Sequence, residues 1–176
     1  MVSLDLKVHS WQSNPQSVQL NNPERFSLQL EIMNQDLIQS HNIEISKPIA
    51  IVWKALTTPE IIAKYLHGTE TITDWKVGSR ITFQGEYEGN TYHDGGIIKE
   101  FIPNKKISYT YWSSFTGLED KPENYALVTY DVESIDANKT KFTWTTKGFS
   151  SEEEFEGSKT SMPKFLENIK SIVEGL

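Results

Sequence analysis

Polar and apolar residues alternate through most of this chain, and that alternation marks strands. Leu4, Leu6 and Val8 alternate with polar neighbours, as do Phe26, Leu28, Leu30 and Ile32. Asn14-Pro15 and Asn21-Asn22-Pro23 between them are turn chemistry. Residues 1–36 therefore read as an N-terminal β extension, which packs on the main body or on a second copy because a two-stranded ribbon is marginal alone. Ile38, Ile43 and Ile45 predict a further strand ending at Ser46. Helical spacing then takes over. Ile49, Val52, Trp53 and Leu56 share one face of a helix opened by Ser46-Lys47-Pro48, with Ser near the N-cap and Pro in the first turn. Thr58-Pro59 starts a second helix carrying Ile61, Ile62, Tyr65 and Leu66.

Six strands follow, over Thr69–Trp75, Arg80–Tyr87, Thr91–Ile102, Lys106–Trp112, Asn124–Ile135 and Lys139–Phe149. The turns between them are short, at Val77-Gly78-Ser79, Gly89-Asn90, Pro103-Asn104-Lys105 and Asp136-Ala137-Asn138, so neighbours are antiparallel. Ser113 to Glu123 is the one long connection and reads as a mobile loop. Ser151 with Glu154 forms a capping box for a closing helix with an apolar stripe from Phe155 to Val173. Pro163 interrupts that stripe, so the helix kinks there or its main part starts near Ser161. The predicted fold class is α+β: a curved antiparallel sheet wrapped around a long C-terminal helix, with two short helices after the first strand of the domain 37–176, the helix-grip order.

Composition narrows the chemistry. The chain has no cysteine, which excludes disulfides, zinc-thiolate sites, iron–sulfur clusters and thiol catalysis. Its net charge is −7, and Lys105-Lys106 is too small a basic cluster for nucleic acid, so no nucleic-acid partner is expected. The start Met1–Lys7 lacks the pattern of a signal peptide, and the longest apolar stretch, Ile49–Trp53, is far short of the ~20 residues that span a bilayer. No membrane association is expected and the cytoplasm is the default compartment. Aromatic residues number 20, of which 14 fall between Trp75 and Phe149, in the strand region.

Alternation assigns faces. Ile81, Phe83 and Tyr87 share one, Ile107, Tyr109 and Tyr111 another, and Val128, Tyr130, Val132, Phe142 and Trp144 line the last two strands. Phe165, Leu166 and Ile169 face them from the helix. Asp131 and Glu133, like Arg80 and Glu86, belong to the outer faces. The histidines His9, His41, His67 and His93 match no metal-binding spacing, and no metal or cofactor is expected. His93-Asp94 invites an acid–base reading, but adjacent strand residues point to opposite faces, and Gly95-Gly96 makes a surface turn or bulge the plainer account. His67 before Gly68 sits where a helix C-cap is expected. No nucleophile–base pair is recognisable, so no catalytic residue is assigned.

Several segments also carry a family resemblance. Ile45-Ser46-Lys47-Pro48, Val52-Trp53-Lys54-Ala55-Leu56 and Thr58-Pro59-Glu60 resemble the opening of proteins similar to the activator of the Hsp90 ATPase, within the START/Bet v 1-like (SRPBCC) superfamily. Val77–Phe83, Gly96–Ile107, Val128–Glu133 and Thr140–Thr145 with Gly148-Phe149 resemble its later strands in order. The resemblance implies a helix-grip domain with an apolar cavity between sheet and helix. The expected ligand-binding residues are Phe83, Tyr87, Tyr109, Tyr111, Val128, Tyr130, Trp144, Phe165 and Ile169. The expected partner is a small hydrophobic molecule, bound without catalysis, with Ser113–Glu123 as gate through Phe115 and Leu118. A homodimer through residues 1–36 is a further expectation. The alternatives are a cyclase- or aromatase-like enzyme using the same cavity, and a co-chaperone-type interaction role.

Overall fold

The computed structural model describes residues 34–176. The expected strands around Leu4–Val8 and Phe26–Ile32 lie outside the described residues. The elements in chain order are β1 (Asn34–Ile45), α1 (Ile49–Thr57), α2 (Pro59–Tyr65), β2 (Glu70–Ile72), β3 (Arg80–Tyr87), β4 (Asn90–Ile102), β5 (Lys106–Tyr111), β6 (Ala126–Asp136), β7 (Lys139–Phe149) and α3 (Glu152–Glu174). All strand pairs are antiparallel, in the spatial order β1-β7-β6-β5-β4-β3-β2. The first strand thus pairs with the last, and α1–α2 carry the chain from one edge of the sheet to the other. One face of the sheet closes on α3, whose Leu166, Ile169 and Val173 are buried against Ile45, Ile107 and Phe142 in one core. This is the predicted helix-grip architecture.

Alternation works as expected along the central strands. Ile81 and Phe83 on β3, Ile107 and Tyr109 on β5, and Val128, Tyr130 and Val132 on β6 are buried, while Asp131 and Glu133 are exposed. β2 is much shorter than the predicted Thr69–Trp75. After Ile72, Thr73 Oγ1 accepts the Trp75 N–H (3.2 Å) and Asp74 Oδ1 accepts the Lys76 N–H (3.0 Å). These local bonds replace a strand ladder and turn the chain. Trp75, at φ +57°, swings inward to stack on Phe101 at 5.7 Å.

The helix starts also differ from expectation. Pro48 is itself the N-cap of α1 and no side chain caps it; Thr58, the N-cap of α2, makes no side-chain cap bond either. The backbone N–H of Ser46 instead donates to Glu174 Oε1 (2.6 Å), tying the end of β1 to the end of α3. At α3 the capping box is split between two serines: Ser151 Oγ accepts the Glu154 N–H (3.1 Å), while Glu154 Oε2 accepts the N–H of Ser150 (2.6 Å). Pro163 does not divide α3, which runs unbroken from Glu152 to Glu174. Pro163 is exposed, so the Lys159 carbonyl it deprives of a partner lies on the solvent side of the helix.

Candidate functional site

The inner face of the sheet and the facing side of α3 carry a continuous run of aromatic rings. Tyr111 meets Phe83 edge-on (centroids 5.9 Å), and Phe83 meets Tyr109 (5.8 Å). Tyr109 meets Tyr130 edge-on (5.7 Å), Tyr130 packs on Trp144 (4.4 Å), Trp144 on Phe165 of α3 (5.5 Å), and Phe165 on Tyr65 of α2 (6.2 Å). Rings are placed this way because each strand offers an aromatic residue at an inward position and the register brings those positions into neighbouring rows. Tyr130 lies opposite Trp144, and Tyr109 opposite Val128.

Six of the expected binding residues, Phe83, Tyr109, Tyr111, Tyr130, Trp144 and Phe165, are thus brought together. Val128 and Ile169 are buried beside them as core residues. Tyr87 is placed apart, near the turn into β4, where it meets Phe115 edge-on at 5.9 Å.

Polar groups sit within this apolar run. The hydroxyls of Tyr109 and Tyr130 are 2.7 Å apart, so one donates to the other. Burial raises both phenols well above their usual range. Tyr65 is raised too, by burial first and then by its proximity to Tyr109. Tyr111 is raised by burial and then by the Asp94 carboxylate beside it. All four phenols therefore stay protonated and neutral at physiological pH, as hydrogen-bond partners rather than bases.

Asp94 is the residue that alternation undervalued. Where a surface turn or bulge is expected, Asp94 is buried to 3% exposure in the middle of β4. It faces inward opposite Phe83, while His93 points outward to Gln84 Oε1 (3.1 Å). Its two oxygens accept four bonds: Ser113 Oγ (2.7 Å) and Tyr111 OH (3.2 Å) on Oδ2, and the N–H and Oγ of Ser114 (3.0 Å each) on Oδ1. A carboxylate engaged by four neutral donors has no lone pair facing the rings for acid–base work. It fastens the start of the Ser113–Glu123 loop to the sheet. The loop then forms a short 3-10 turn at Ser114–Thr116 and places Phe115 against Tyr87 and Tyr92 (5.5 Å). The segment expected to be mobile is therefore tied down at its start, and Trp112 Nε1 also donates to the Leu118 carbonyl (3.1 Å). The signal that could have found Asp94 is its phase: it alternates with Tyr92 and Ile98 on the inward side.

Two buried polar atoms find no partner among the described residues, His41 Nε2 and Thr71 Oγ1. Among the described residues there is no group of three acidic or histidine side chains placed to hold a metal ion, and no helix is long and apolar enough to cross a membrane.

Comparison with known proteins fits this geometry. The model of the family described as "Activator of Hsp90 ATPase homolog 1-like protein" matches residues 46–174. The chain belongs to that family. A solution structure from Cytophaga hutchinsonii is 35% identical, covers 81% of this chain and 97% of its own, and superposes with a TM-score of 0.70. An Hsp90 activator from Plasmodium falciparum (22% identity, 77% of this chain and 95% of that one, TM-score 0.60) shares the fold. So does the Aha1 dimer from Colwellia psychrerythraea (20% identity, 78% and 96%, TM-score 0.60). No curated protein matches the chain.

Proposed function

We propose that this member of the Hsp90-activator-like family binds a small, largely apolar molecule between the inner face of its sheet and α3, without catalysing a reaction, in the cytoplasm. The observation that carries the reading is the unbroken ring contact from Tyr111 through Phe83, Tyr109, Tyr130 and Trp144 to Phe165, with hydroxyls inside it. Aromatic surface with a few convergent polar groups is the common lining of small-molecule sites. A catalytic alternative needs a free acid–base group on that face, and Asp94 is fully engaged by donors.

The test is an NMR titration of the purified full chain with 2-acetonaphthone. Saturable shifts confined to Phe83, Tyr109, Tyr130, Trp144 and Phe165 are expected. Shifts that fail to saturate, or that map to the outer faces of the strands, reject the reading.

A further inference from the structure

The hydroxyls inside the grip have more protons than the described residues have acceptors for them. Tyr109 and Tyr130 each carry one O–H, and their mutual bond uses one of the two. The second proton has no acceptor among the described residues. Thr71, 3% exposed on β2 and opposite Phe83, has an Oγ1 without a partner among the described residues as well. Leaving buried donors unmade is costly, and native interiors avoid it. The same region is hostile to anions. Among the described residues, no Lys or Arg is buried, and the one buried carboxylate, Asp94, touches Tyr111 at the end of the aromatic run.

Resting on the ligand-binding reading above, we infer that the bound molecule is uncharged and carries an acceptor oxygen, a carbonyl or ether, that takes the spare proton of the Tyr109–Tyr130 hydroxyl pair. Burial keeps both phenols protonated, so the pair offers a donor across the physiological pH range. A carboxylate would shed its water without gaining a cation in return, which penalises fatty-acid-like and phosphorylated ligands. A plain hydrocarbon would gain the rings and leave the donor unmade.

Three probes of one shape separate these cases: 2-acetonaphthone, 2-ethylnaphthalene and 2-naphthoate. Against the full chain, the ketone is expected to bind about tenfold tighter than the hydrocarbon, the worth of one neutral hydrogen bond. The carboxylate is expected to bind weakest. Each single variant, Tyr109→Phe or Tyr130→Phe, retains one hydroxyl with one free proton and keeps the preference. The double variant loses it and binds ketone and hydrocarbon alike. Equal affinity for ketone and hydrocarbon, tight binding of the carboxylate, or a ketone preference that survives the double variant each overturns the inference and leaves apolar binding intact. If none of the three binds the native protein, the underlying ligand-binding reading fails and takes this inference with it. The comparison of probes on the native protein decides the matter even where the double variant does not fold.

Discussion

Asp94 shows what a single buried side chain can organise. Its carboxylate gathers Tyr111, Ser113 and Ser114, and through them seats Phe115 on Tyr87 and Tyr92. Asp94→Asn has the same shape, but its amide nitrogen cannot accept, so two of the donors now meet a donor. Leaving buried donors unmade costs roughly 1–3 kcal/mol. The variant is expected to lose about 2 kcal/mol in urea unfolding and to exchange the Ser114 and Phe115 amide protons faster. Unchanged exchange at Ser114 would show that the loop is held by its own turns instead. His41 gives a second prediction at this scale. Its ring is half-buried, Nε2 has no partner among the described residues, and desolvation lowers its pKa from 6.5. The folded state then binds the proton less well than the unfolded chain. The stability from neutral His41 is fully present above about 6.5 and is lost as pH falls below that value toward the lowered one. Wild type should therefore lose more stability than His41→Gln between pH 7.5 and pH 5.5 in parallel urea titrations. Parallel losses would assign the acid sensitivity to other groups.

Among the elements, β4 is the most constrained, because Gly95 and Gly96 let the backbone of β3 and β5 approach it closely. A Cβ on Gly96 would stand 1.8 Å from the Thr110 carbonyl oxygen, a backbone atom that cannot step aside. Gly96→Ala is expected to cost about 3 kcal/mol, near the upper end of overpacking effects. Gly85→Ala is the comparison: its Cβ would meet only the Tyr92 side chain, the hydroxyl at 2.8 Å and the ring carbons Cζ and Cε1 at 3.1 and 3.2 Å, and that side chain can swing away from Thr69. It should cost on the order of 1 kcal/mol, the worth of that hydrogen bond. Equal costs for the two alanines, measured by denaturant midpoint, would mean that β4 and β5 separate more freely than their register implies. The same elements show what patterning can and cannot reveal. The inward rows of β3, β5, β6 and β7 were legible because burial of one face imposes a period of two. The early end of β2 was not, because Thr73 and Asp74 compete for backbone N–H groups only once the chain has turned. The phase of Asp94 matches the inward row, but its burial was hidden for a related reason. A buried carboxylate depends on donors from Ser113 and Ser114, some twenty residues away, and no local pattern announces them.

For the whole molecule, the open question is the edge. β1 and β2 end the sheet, and β1 bonds to β7 on one side only among the described residues. An unpaired strand edge invites another strand, and Ile38 on β1 is 54% exposed. The family match begins at residue 46, so the alternating segment from Phe26 to Ile32 lies outside it. It precedes β1 directly in the chain. Asn34–Asp36 of the expected extension already belong to β1; the proposal that residues 1–33 complete this edge, within one copy or between two, follows from that position and from the marginal stability of a lone two-stranded ribbon. Removing residues 1–33 tests it while leaving every described strand intact. If the segment pairs within its own chain, the truncated protein melts at a lower temperature with unchanged mass in sedimentation. If it joins two copies, the full chain sediments as a dimer and the truncated one as a monomer. A truncated chain with the melting curve and mass of the full one would place residues 1–33 outside the fold altogether. The ring system from Tyr111 to Phe165 lies wholly within the retained residues, so binding of 2-acetonaphthone should persist in either case.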